Sequence, residues 1–141
     1  MRIIAYIDGF NLYYRALKEN PSAKWLNLKL FMEQFLRPDD TLAAVKYYTA
    51  SVTGWQDPDA PSRQQVYFRA LRSTPEVQIY QGLFQRKKVC RPIVGHIPLV
   101  HPKSENGQFF WFKTCEEKGS DVNLASHLLR DAFMNEMDAA F

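Results

Sequence analysis

Cysteine is scarce in this chain of 141 residues: Cys90 and Cys115 are the two it has. Two thiols build no disulfide framework, so a reducing, cytoplasmic compartment is expected. Long apolar runs are lacking as well. The opening MRIIAYID is far too short to span a membrane, and no small-residue cleavage site follows it, so neither a membrane span nor a secretory leader is expected. The six glycines form neither GxGxxG nor a Walker loop, which argues against a dinucleotide or ATP site of those kinds. There is no internal repeat, no low-complexity tract and no local Ser-His-Asp or Cys-His motif. Cys90, His96, His101 and Cys115 could be written as a zinc set, but their spacing matches no compact zinc pattern.

What is present is an ordinary globular composition, 46% hydrophobic and 23% charged, enough for one domain with a real core. The net charge of +3 is unevenly placed. Residues 86–118 hold seven basic residues (Arg86, Lys87, Lys88, Arg91, Lys103, Lys113, Lys118) against three acidic ones. A basic stretch of this kind suits a polyanion such as nucleic acid, and it equally suits a solvated loop.

Apolar patterning alternates between strand and helix. Ile3, Ile4, Tyr6 and Ile7 predict a strand that ends at Asp8-Gly9. A short helix is expected over 11–18 with Leu12 and Leu17 inward. Another is expected after Asn27, its cap, with Leu28, Phe31, Phe35 and Leu36 inward. Residues 45–52 read as a second strand, 54–62 as a loop and 63–72 as a helix offering Val66, Tyr67 or Phe68, Ala70 and Leu71 to the core. Residues 77–80 read as a third strand ending at Gly82. The segment 84–108 reads as irregular and basic, and Phe109–Phe112 as a short buried strand. The last helix is capped by Ser120 and places Val122, Ala125, Leu128, Leu129, Ala132 and Phe133 on one stripe. Asp138 begins a turn into another strand. His127 and Asp131 read as an i, i+4 polar pair on a solvated face. This alternation predicts a parallel α/β sheet with ligands beyond the carboxyl ends of its strands.

Two carboxylates draw attention. Asp8 ends the first strand, where an ionised group needs compensation, by a cation or by its own turn. Asp121 opens the last helix, where the helix dipole favours it. If the two converge, their repulsion calls for a cation or a shared proton, and Mg²⁺ or Mn²⁺ would serve.

YIDGFNLYY at 6–14 and EKGSDVNLASHLLRDA at 117–132 resemble the two leading motifs of the NYN domain family, within the PIN-like nucleases. YYTASVTG at 47–54 and PSRQQVYFRAL at 61–71 are similar too. The resemblance covers nearly all of 1–141 and is weakest over 84–108. It implies a Rossmann-like, PIN-like parallel sheet with helices on both faces, and a cytoplasmic, Mg²⁺- or Mn²⁺-dependent ribonuclease. Asp8 and Asp121 would ligate the metal. Asn11 would orient Asp8, a water or a phosphate. Ser120 and Lys118 flank Asp121, where Lys118 would neutralise a phosphate. Apart from the resemblance, Arg63, Arg86, Lys87 and Lys88 are candidates for backbone phosphates, and one of Phe10, Tyr13 and Tyr14, or Trp55, is a candidate to stack a base, the others of the three packing the core. The alternative it leaves is a non-catalytic RNA-binding or protein-interaction module on the same fold. The family continues through a further strand into an S-x-D-S-D type motif that is absent here, so an incomplete sheet, completed by a second copy or a partner, is expected.

Overall fold

A computed structural model describes residues 1–55, 57–92 and 109–141. Its elements alternate in the expected order: β1 (Arg2–Asp8), α1 (Gly9–Leu12), which widens into a π-type turn at Tyr13–Leu17, α2 (Leu28–Glu33), β2 (Thr41–Ala50), α3 (Ala60–Arg72), β3 (Val77–Pro92), β4 (Phe109–Lys118), α4 (Ser120–Phe133) and β5 (Ala139–Ala140). The strands lie in the order β4-β3-β2-β1-β5. β1 runs parallel to β2 and to β5, and β2 runs parallel to β3. The α/β class is as the alternation predicts.

The chain divides into two compact units, one formed by Met1–Phe84 with Glu117–Phe141 and the other by Gln85–Glu116. In the first, β2 is central, and every residue from Ala44 to Ala50 is buried, as for a parallel strand covered on both faces. One face of the sheet is apolar. Ala5, Val45, Tyr47 and Val77 meet Leu28 of α2 and Phe68 and Leu71 of α3. Asn27 caps α2 through its side chain, accepting from the Leu30 amide at 3.1 Å.

The opposite face is polar and aromatic, and α4 packs against β1 and β2 there. Here the stripe expected for α4 is corrected. Val122 and Leu129 are each 68% exposed and Phe133 is 89% exposed, whereas Asp131 is fully buried. The helix turns its polar residues inward because the sheet face beneath it presents Tyr6, Lys46 and Tyr48 rather than aliphatic groups. The cap also differs: Gly119, with φ +100°, precedes the helix, and Ser120 is its first residue. A positive φ of this kind favours glycine.

Other expectations shift by degree. Phe31, Phe35 and Val66 are exposed rather than inward. β3 continues through the segment read as irregular as far as Pro92, and the rest of that segment, 93–108, lies outside the described residues. In the second unit, Trp111 and Phe112 of β4 are exposed, not core. Asp138 ties β5 to the start of β1, its carboxylate accepting from the Arg2 amide at 2.6 Å and pairing with the Arg2 guanidinium at 3.1 Å.

Candidate functional site

Asp8 ends β1 and caps α1. Its Oδ1 accepts from the amides of Phe10 and Asn11, each at 2.9 Å, and its Oδ2 accepts from Asn11 Nδ2 at 2.6 Å. Asp8 and Asn11 are thus hydrogen-bonded to one another, and the carboxylate is compensated by its own turn. Ser120 begins α4 beside the end of β2, where its hydroxyl donates to the Thr49 carbonyl at 3.1 Å and its amide donates to Glu117 Oε1 at 2.8 Å. Since Asp8 is in register with Tyr48, the neighbour of Thr49, the openings of α1 and α4 meet the same carboxyl edge of the sheet. Asp121 is exposed in the first turn of α4 and Lys118 is exposed just before it. Ser120, expected to bind substrate, is buried and hydrogen-bonded into the sheet.

The remaining candidates are elsewhere. Arg63 is paired with Asp57 at the start of α3. Arg86, Lys87 and Lys88 belong to the second unit, where Lys87 pairs with Glu116 at 2.6 Å. Cys90 and Cys115 are free thiols of that unit, while His96 and His101 lie outside the described residues. Among the described residues no group of three or more His, Cys, Asp or Glu is placed to hold a metal ion. An aromatic rim follows Asp8: Phe10 meets Phe84 edge-on at 5.4 Å and stacks with Tyr14 at 6.5 Å, and Tyr13 meets Tyr14 at 5.2 Å. Tyr13 and Tyr14 are exposed.

Beneath α4 lies a cluster that sequence reasoning did not assemble. Lys46 Nζ donates to Asp131 Oδ2 at 2.5 Å, and Tyr6 Oη donates to the same oxygen at 2.6 Å. Burial alone would raise the Asp131 carboxyl, but the hydrogen bonds from Lys46 and Tyr6 outweigh it and hold the group below the ordinary range. Burial, reinforced by the hydrogen bond to Asp131, pushes the Tyr6 phenol well above its ordinary value. Tyr48 Oη lies 3.0 Å from His127 Nδ1. The His127–Asp131 pair is therefore not on a solvated face. The available signal was parity: Tyr6, Lys46, Tyr48 and Tyr80 occupy alternate positions that one face of a parallel sheet brings side by side.

Comparison with known proteins bears on what this edge does. The chain is 29% identical to the 6-hydroxy-3-succinoylpyridine 3-monooxygenase HspA of Pseudomonas putida (strain DSM 28022 / S16), in a match covering 99% of this chain and 50% of that protein. The chain spans about half the length of that curated relative. No family model matches, and no solved structure matches. The match overturns the ribonuclease expectation, and the nucleic-acid reading tied to it, since the similar protein is named for oxygenation rather than phosphodiester hydrolysis. No helix among the described residues is long and apolar enough to cross a membrane.

Proposed function

We propose that this chain is an enzyme domain of the oxygenase class acting on a hydroxylated nitrogen-containing aromatic ring. The observation that carries the reading is the match to a monooxygenase along 99% of the chain. What supports a location at the carboxyl edge is the aromatic surface of Phe10, Tyr14 and Phe84 following Asp8 and Asn11. Offset and edge-on aromatic contacts suit a planar heterocycle, and Asn11 and Asp8 supply a donor and an acceptor for its polar substituents. Open α/β sheets bind ligands at this edge.

Monooxygenation forms one C–O bond at a ring carbon, which gives up its bond to hydrogen or, where that carbon is substituted, to the departing substituent. The second oxygen atom of dioxygen leaves as water, taking two protons and two electrons from an external two-electron reductant. If a cation takes part, Asp8 and Asp121 are the residues we propose would hold Mg²⁺ or Mn²⁺. On fold, we propose that the PIN-like likeness holds, supported by an internal β1 and by both motif segments opening at one edge.

The test is oxygen uptake by the chain with 6-hydroxypyridine-3-carboxylate and a reduced nicotinamide as electron donor, with and without EDTA. Uptake that requires both ring and reductant supports the reading. A folded protein whose uptake is indifferent to the ring contradicts it. If the two carboxylates hold a required cation, EDTA abolishes ring-dependent uptake and added Mn²⁺ restores it.

A further inference from the structure

Tyr6, Tyr48 and Tyr80 come from three neighbouring parallel strands, and their rings form a stack. The Tyr6 and Tyr48 rings are 6.4 Å apart with planes within 10°, and those of Tyr48 and Tyr80 are 5.1 Å apart with planes within 14°. The middle ring is fully buried. Its hydroxyl reaches His127 Nδ1 at 3.0 Å, and the His127 ring stands edge-on to Tyr80 at 4.4 Å. Asp131 lies one turn further along α4, fully buried, with its Oδ1 lacking any hydrogen-bond partner. Such an arrangement exceeds what packing requires, because an aliphatic face would fill the same space without three phenols, an imidazole and an ion pair.

We propose that Tyr48 and His127 form a proton-coupled one-electron redox site, flanked by the stacked rings of Tyr6 and Tyr80. A phenol gives up an electron readily only if its proton leaves with it, and an imidazole nitrogen at hydrogen-bond distance is a ready acceptor. In the step, the Tyr48 O–H bond breaks, an N–H bond forms at His127 Nδ1, and the electron passes to a one-electron oxidant. The products are a neutral Tyr48 phenoxyl radical and a His127 imidazolium. Burial keeps the Tyr48 phenol protonated beforehand by pushing it well above its ordinary value. In the cell the oxidant would be an oxygen-derived one-electron oxidant, released when dioxygen is activated without a substrate in place. This last point rests on the oxygenase reading. The redox site would then draw the damage away from the ring-binding edge.

The experiment uses the full chain and tris(bipyridine)ruthenium(III) generated by light with persulfate, followed by freezing and electron paramagnetic resonance. The expected result is a neutral tyrosyl signal that is largely lost in Tyr48→Phe and unchanged in the exposed controls Tyr13→Phe and Tyr14→Phe. An undiminished signal in folded Tyr48→Phe, or one lost in the controls instead, overturns the proposal. Should Tyr48→Phe fail to fold, the unsubstituted chain decides: oxidation slows in D₂O if the proton moves with the electron, and an unchanged rate overturns the proposal. Photo-oxidation needs neither substrate nor turnover, so failure here is distinct from failure of the oxygenase reading.

Discussion

Lys46 stands in the middle of a strand that is otherwise apolar, β-branched and aromatic, with its side chain only 6% exposed. It keeps its charge there because Asp131 receives it. Breaking one half of a buried pair strands the other charge, so Lys46→Met should destabilise the fold by about 3–5 kcal/mol. Lys46→Met combined with Asp131→Leu should recover most of that loss, and urea unfolding of both variants measures the difference. The pair also sets an acid limb. Because the folded-state Asp131 carboxyl is held below its ordinary value, its contribution is fully present above the unfolded value of about 3.9 and is lost as pH falls through the lower folded value. Stability against pH measured below about pH 4 should therefore be flatter in Asp131→Asn than in the parent chain. None of this was legible in the sequence. Lys46 and Asp131 are 85 positions apart, and no local pattern connects a lone strand lysine with a helix aspartate.

At the level of elements, α4 carries the clearest lesson. Its 3.6-residue periodicity was legible, but apolar residues occupy the outer stripe, while Leu124, His127, Leu128 and Asp131 lie on the turns facing the sheet. Pattern alone chose the more apolar stripe. The structure chose the one complementary to a tyrosine- and lysine-bearing sheet face. A triple variant, Val122→Ser, Leu129→Ser and Phe133→Ser, should accordingly shift unfolding by no more than about 0.5 kcal/mol per site, whereas a core stripe would lose several-fold more. Where the chain enters α4, space is tight. A Cβ on Gly82 would stand 2.6 Å from the Lys118 carbonyl oxygen, so Gly82→Ala should cost about 1–3 kcal/mol by thermal or urea unfolding. By contrast, the end of β1 at Asp8, the Asn27 cap and the order of strands and helices were all legible, because each rests on local turn, cap or alternation chemistry.

For the molecule as a whole, the parallel arrangement around β1 and β2 followed from alternation, whereas the meeting of Asp8 and the opening of α4 at one carboxyl edge was left conditional by the sequence and is seen only in the sheet register. The activity did not follow. The motifs favoured hydrolysis, whereas the protein this chain is similar to is named for oxygenation. What separates the two readings is the origin of the oxygen in the product. The decisive measurement is turnover of 6-hydroxypyridine-3-carboxylate under ¹⁸O₂ with a two-electron reductant, read by mass spectrometry of the product. The oxygenase account predicts a hydroxylated ring bearing one ¹⁸O atom. A product whose new oxygen comes from water, or an untouched ring in the presence of correctly folded protein, would contradict it.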